Sequence, residues 1–69
     1  MTPWRRVYHR FGFSSQSKFA AAIGRHRSKV SRALNDPKGL INGRDQELIV
    51  KAAREHKVEL RPEDMVPSS

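Results

Sequence analysis

Apolar residues recur at helical spacing in four short segments of this 69-residue chain, and turn-forming residues separate the segments. The first segment has the i, i+3, i+4, i+7 pattern of one helix face, formed by Trp4, Val7, Tyr8 and Phe11. Thr2 can cap this helix, Pro3 suits its first position, and Gly12 can end it. The pattern therefore predicts an amphipathic first helix.

Two further short helices are predicted over residues 16–23 and 27–34. The second can start after Ser14 or Ser15 and end at Gly24, which suits a left-handed stop. Its inward face is formed by Phe19, Ala20 and Ile23. The inward face of the third is formed by Val30, Ala33 and Leu34. Residues 35–39 then form a dense run of turn residues, which predicts the end of the third helix.

A fourth helix is predicted over residues 44–57, with Asn42 or Gly43 at its start. Its inward face is formed by Leu48, Ile49, Ala52 and Ala53. Asn42-Gly43 is also a strong signal for a two-residue β-hairpin, but residues 44–47 do not alternate apolar with polar. The spacing therefore favours a helix. In the tail, 58–69, the residues Leu60, Pro62 and Met65 predict one short helical turn, followed by fraying over 66–69.

These segments predict one all-α domain over residues 1–69, a small bundle of four to five helices. A chain of this length buries only about 60% of its surface on folding, so an enclosed catalytic cleft is hard to build. No Gly-rich phosphate loop or nucleophile motif is present in the sequence. We therefore expect no enzymatic activity and no small-molecule substrate.

Charge is distributed unevenly along the chain, whose formal net charge is +7. Residues 1–35 contain eight Lys and Arg and no acidic residue, whereas residues 36–69 contain six basic and seven acidic residues. An all-basic half attracts a polyanion. A Lys/Arg-rich surface can also serve solubility, but solubility does not require that half a domain lack every carboxylate. The charge pattern therefore favours nucleic acid or an anionic membrane as the partner.

The spacing within residues 16–35 suits two short helices that cross at a tight turn. Ala20, Gly24 and Val30 supply the small contact residue, the turn glycine and the branched anchor at relative positions 5, 9 and 15, counting Gln16 as 1. The runs 16–24 and 30–35 resemble the helix-turn-helix of phage Cro and repressor proteins. This resemblance implies a lambda-repressor-like DNA-binding domain. Residues 60–64 resemble the ending of the all-helical branch of the phage Cro proteins.

The outward positions of the third helix are those at which the resembled family contacts base edges. Arginine can bind guanine through two hydrogen bonds, and serine can donate or accept at any base. The predicted base-contacting residues are Arg27, Ser28, Ser31 and Arg32. A merely solvated helix face is the alternative, and spacing, charge and resemblance together favour base contact.

Contacts to the DNA backbone are predicted at both ends of this motif. The resemblance implies such a contact for Gln16. The free backbone N–H groups at the start of the second helix favour an anion, so the prediction includes Ser17 as well. Asn35 and Lys38 follow the third helix and can reach a phosphate, although Lys38 is equally explained as an exposed loop lysine. Phosphate contact and a solvated helix face both remain open for three arginines of the first helix, namely Arg5, Arg6 and Arg10.

Two positions depart from the family pattern. Arg25 follows the turn glycine where an apolar residue is usual, and His26 replaces the usual Ser or Thr cap. We expect the methylenes of Arg25 to cover the core while its guanidinium reaches solvent or phosphate. A histidine cap is weak, so the start of the third helix is the least defined.

Other site chemistries find little support in the sequence. There is no cysteine, so disulfides and thiolate metal sites are excluded. The three histidines lie on separate predicted elements, and we expect surface positions for them and neither a metal nor a cofactor: His9, His26 and His56. Glu63-Asp64 is interpreted as the favourable first-turn charge of a helix.

The sequence also bears on location. Its longest apolar run, residues 19–23, is too short to span a membrane, and residues 1–6 do not resemble a signal peptide. We therefore expect a cytoplasmic protein of a bacterial host cell.

The function predicted from these features is that of a sequence-specific repressor that binds a pseudo-palindromic operator in double-stranded DNA as a homodimer. A related alternative is the DNA-binding antitoxin of a toxin–antitoxin pair. An alternative of another class is a non-specific basic module for RNA or membranes. RNA-binding modules use exposed aromatic side chains for stacking, whereas Trp4, Tyr8, Phe11 and Phe19 fit a core. The modest apolar stripes are needed by the fold itself, which disfavours membrane binding.

Overall fold

The computed structural model describes residues 1–66, and this part of the chain is all-helical. Four α-helices, α1 to α4, span Pro3–Phe11, Gln16–Ile23, Arg27–Asn35 and Gly43–Glu55, and a short 3-10 helix follows over Pro62–Met65. No β-strand occurs within residues 1–66, and Asn42-Gly43 starts α4. The prediction of a helix in place of a hairpin is therefore confirmed. Residues 67–69, which belong to the tail predicted to fray, lie outside the described part of the chain.

Side-chain caps and left-handed glycines set the helix boundaries. Thr2, Ser15 and Asn42 each accept the backbone N–H of the residue three positions later, at 3.3, 3.2 and 2.9 Å. Gly12 and Gly24 end α1 and α2 with φ angles of +68° and +74°, which a residue with a Cβ adopts only at a cost. The exception is α3, whose N-cap His26 makes no side-chain cap bond, as its residue type predicts.

The core is one aromatic and aliphatic cluster to which all four α-helices contribute. Phe19 of α2 lies at its centre, fully buried, with its ring edge-on to Trp4, Tyr8 and Phe11 of α1 at centroid distances of 6.4, 5.3 and 5.3 Å. The other buried apolar residues are Val7, Ala20, Ile23, Val30, Leu34, Ile41, Ile49, Ala52 and Ala53. This set confirms the predicted inward faces, except that Tyr8, Ala33 and Leu48 are only half-buried.

The loop between α3 and α4 is fixed to the start of α1. The Trp4 backbone N–H donates to the Gly39 carbonyl at 3.1 Å, and the Trp4 indole N–H donates to the Leu40 carbonyl at 3.0 Å. Gly39 has φ +52°, and a Cβ there would lie 2.4 Å from the Cβ of Thr2. Only glycine allows this approach, so the chain that leaves α3 has a defined path.

The 3-10 helix packs on α1 through a buried carboxylate. Asp64 is 5% exposed, accepts the Arg61 backbone N–H at 3.1 Å and pairs with Arg10 Nε at 3.2 Å. The first-turn position predicted for Glu63 and Asp64 is confirmed, and Asp64 in addition anchors the C-terminal segment. Val66, the first residue of the tail predicted to fray, is exposed, but its carbonyl accepts a hydrogen bond from Arg6 Nη2.

Candidate nucleic-acid interface

All four residues predicted to contact bases lie on α3, and three of them are exposed. Arg27, Ser28 and Arg32 are exposed, whereas Val30 and Leu34 of the same helix are buried in the core. Ser31 is only half-exposed, and its carbonyl accepts a hydrogen bond from the Asn35 amide at 2.9 Å. The helix therefore presents two guanidinium groups and a serine hydroxyl outward while its opposite face anchors it to the domain.

Lys29 is an exposed cation of α3 that was not among the predicted contact residues. Its Nζ lies 3.5 Å from the carboxylate of Asp45, and 46% of its side chain is exposed. Val30, Ala33 and Leu34 define the predicted inward face of the helix. Their spacing alone does not say whether Lys29 lies on that face or on the outward one. The lysine extends the basic surface of α3 toward the start of α4.

Arg25 corrects one prediction. We expected its guanidinium to reach solvent or phosphate, but Arg25 Nε donates to Asp45 Oδ1 at 2.8 Å, and its side chain is only 26% exposed. Asp45 lies in the first turn of α4 and is 1% exposed. A buried carboxylate requires a partner because unpaired burial of charge is costly. Arg25, a charged residue where the resembled motif has an apolar one, therefore forms an internal ion pair that connects the α2–α3 turn to α4.

The start of α2 lines a cleft of about 280 Å³ between α1, α2 and the end of α3. Gln16 is half-buried at this cleft, and Asn35 of α3 also lines it, so two of the four predicted backbone-contacting residues share one site. Ser17 is exposed on the neighbouring turn of α2. The sequence did not predict that Arg5 and His9 of α1 line the same cleft, because helical spacing does not show how α1 packs against α3.

Lys38 lies in the α3–α4 loop and is exposed, as predicted. Its backbone N–H donates to Asp36 Oδ1 at 2.9 Å, and the N–H of Gly39 donates to the same oxygen at 3.4 Å. The carboxylate of Asp36 therefore stabilises the turn from which the Lys38 side chain projects. The loop has a hydrogen-bonded backbone and an exposed cation just after α3.

The arginines of α1 differ in their surroundings. Arg5 Nε donates to the carbonyl of Leu34 at 2.9 Å, which ties α1 to the last turn of α3. Arg10 pairs with Asp64 and Arg6 binds the carbonyl of Val66, so both hold the C-terminal segment. Arg6 and Arg10 therefore make structural contacts with the domain, a role that was neither of the two interpretations left open for these arginines.

Within residues 1–66, no three His, Asp or Glu side chains lie close enough together to hold a metal ion. None of the helices in that part of the chain combines the length and the apolar character needed to cross a membrane. Exposed cations occur on α2, on α3 and in the following loop, namely Lys18, Arg27, Lys29, Arg32 and Lys38.

No family model, no curated protein and no solved structure matches this chain.

Proposed function

We propose that this chain is a sequence-specific double-stranded DNA-binding protein in which α2 and α3 form a helix-turn-helix. The observation that carries the proposal is the exposed face of α3, where Arg27, Ser28 and Arg32 stand on a helix anchored by buried Val30 and Leu34. Side chains of this kind recognise base edges in the major groove. A helix held firmly by its opposite face presents them in a fixed register.

The local geometry around the turn supports this assignment. An eight-residue α2 and a nine-residue α3 are joined by three residues, and Gly24 in the left-handed conformation ends α2. The Arg25 N–H donates to the carbonyl of Ala20 at 2.9 Å, which tightens the turn. Ala20 and Val30 are buried between the two helices and the core. Two short helices with such a turn are the elements of a helix-turn-helix.

The distribution of charge supports a polyanionic partner. None of the residues of α1, α2 and α3 is acidic, and the exposed cations of α3 and the following loop are Arg27, Lys29, Arg32 and Lys38. Positive side chains near phosphates release counterions and supply sequence-independent affinity. The charge therefore favours binding, and the base-contacting side chains of α3 supply the choice of sequence.

Burial of the aromatic residues favours duplex DNA over single-stranded nucleic acid. Within residues 1–66, Trp4, Phe11 and Phe19 are buried, and Tyr8 and Phe13 are packed against the core. Single-stranded nucleic acids are bound largely by stacking on exposed aromatic rings. The described surface offers no row of exposed rings for that purpose.

The regulatory role that we propose is repression by occupancy of an operator. A domain of this size contacts one half-site, so we infer that two copies bind a pseudo-palindromic site. In this assignment Arg27, Ser28, Ser31 and Arg32 contact bases, with Ser31 the least accessible of them. The residues that contact the backbone are Gln16, Ser17, Asn35 and Lys38.

Replacement of Arg32 by alanine should separate base contact from backbone contact. Arg32→Ala removes a two-bond contact with a base, which should weaken binding to the preferred site by about 1–3 kcal/mol and relax the preference at one base pair per half-site. Lys38→Ala should weaken binding to all duplexes alike and lower the salt slope by about one per protomer. Binding isotherms on specific and scrambled duplexes at several salt concentrations measure both effects.

Both variants should retain wild-type helicity in circular dichroism, because both side chains are exposed. Equal loss of affinity for the specific and scrambled duplexes in Arg32→Ala would show that Arg32 contacts phosphate, and the assigned base-contacting face would be wrong.

A further inference from the structure

Lys29 differs from the other exposed cations of α3 and the following loop in having a carboxylate partner. Its Nζ lies 3.5 Å from Asp45 Oδ2, and 46% of its side chain is exposed. Arg27, Arg32 and Lys38 form no ion pair within residues 1–66. The charge of Lys29 is therefore already paired inside the protein when no DNA is bound.

The two cations that share Asp45 are held in different ways. Arg25 Nε donates to Asp45 Oδ1 at 2.8 Å, which is the usual length of a charge-assisted hydrogen bond. The contact of Lys29 with the other carboxylate oxygen is longer and more exposed to water, where an ion pair contributes little. Lys29 can therefore leave, while the buried carboxylate, in a residue only 1% exposed, keeps Arg25 as its partner.

Lys29 lies beside the side chains that we assign to base contact. Arg32 follows it by three positions on the same helix, and both residues line a cleft of about 290 Å³ together with Asp45. The major groove is little wider than a helix with its side chains, so an inserted α3 has a phosphate backbone on each side. The flexible lysine stem can then turn its ammonium group from the carboxylate to a phosphate.

We propose that Lys29 determines specificity by an exchange of partners: Asp45 holds it until α3 enters the groove, and a DNA phosphate then replaces the carboxylate. The proposal rests on the proposed function and adds Lys29 to its DNA contacts, with Asp45 as a positioning residue. In loosely bound, non-specific complexes the ion pair persists, so Lys29 adds no affinity there. Its contribution is confined to the preferred site.

The salt dependence of binding measures the exchange, because each phosphate contact contributes about 0.9 to the salt slope. Lys29→Gln should lower the slope on the preferred duplex by about 0.9 per protomer and leave the slope on a scrambled duplex unchanged. Asp45→Asn keeps an oxygen for Arg25 but frees Lys29, so the slope on the scrambled duplex should rise by about 0.9. At 0.1 M salt this rise strengthens non-specific binding by up to about eightfold.

The double variant Lys29→Gln/Asp45→Asn should lose that gain, because the freed charge is absent. The matched control is Glu47→Gln, an equal change of charge on an exposed carboxylate of α4 that forms no ion pair within residues 1–66. This control should keep both wild-type slopes. Lys38→Gln removes an exposed cation that has no carboxylate partner, so it should lower both slopes alike.

The comparison of Lys29→Gln with Lys38→Gln decides the matter even if Asp45→Asn does not retain wild-type helicity, because both lysines are exposed. Equal losses of slope on the two duplexes in Lys29→Gln, or no loss on either, would overturn the exchange. A gain in Asp45→Asn that persists in the double variant would also overturn it. Specific binding by the wild type would in each case leave the proposed function intact, whereas a wild type that binds all duplexes equally would overturn both.

Discussion

Replacement of Phe19 by alanine is expected to lower the free energy of unfolding by about 3–5 kcal/mol. The side chain is fully buried, and its ring contacts those of Trp4, Tyr8 and Phe11, so its removal leaves a cavity between α1 and α2. A domain of 69 residues has a total stability of only about 3–10 kcal/mol. The variant should therefore be partly unfolded at 25 °C, and the DNA binding that we propose should weaken accordingly.

Urea denaturation followed by circular dichroism measures this loss. Leu40→Ala is the control, because Leu40 is 53% exposed and its truncation should change stability by less than about 0.5 kcal/mol. A loss below about 1 kcal/mol for Phe19→Ala would mean that the aromatic cluster does not hold α1 on α2.

Replacement of Asp45 by alanine is expected to destabilise the fold by about 2 kcal/mol, since charged hydrogen bonds contribute about 1.5–3 kcal/mol. The substitution leaves Arg25 and Lys29 without their carboxylate, at side-chain exposures of 26% and 46%. Water can solvate both cations in part, so the loss should stay below that of a fully buried pair. Urea denaturation of the wild type and of Asp45→Ala measures this loss of stability.

The origin of that loss can be separated from simple truncation. The double variant Arg25→Met/Asp45→Val should recover most of the stability, because an apolar pair closer in size to the original one avoids the desolvation of charge. Glu47→Ala, on an exposed position of the same helix, should have little effect. If Asp45→Ala is no worse than Glu47→Ala, the ion pair does not connect the α2–α3 turn to α4.

The helices could be predicted from the sequence because their determinants are local. Thr2, Ser15 and Asn42 cap the starts, and Gly12 and Gly24 end α1 and α2, so these bounds follow from neighbouring residues. The end of α4 was predicted two residues too late, at 57, because no glycine marks it. The all-helical class followed from the same spacing.

Parts of the candidate site could not be predicted because they depend on tertiary packing. Arg25 and Asp45 are twenty positions apart, and no helical period relates them. Arg5 and Leu34 are separated by twenty-nine positions, so the cleft that they share appears only when α1 lies against α3. The one available signal was Arg25 itself, a charged residue at a position where the resembled helix-turn-helix motif has an apolar one.

Selection of bound sequences from a pool of random DNA duplexes tests the central claim, sequence-specific recognition by α3, most directly. The selected duplexes should converge on an approximate palindrome whose half-site centres lie about 10–10.5 base pairs apart, one helical turn of DNA. The same selection with Arg32→Ala should relax one position in each half-site. Enrichment of no sequence over the starting pool, or a stronger preference for single-stranded RNA in direct competition, would contradict the proposal that this chain binds an operator.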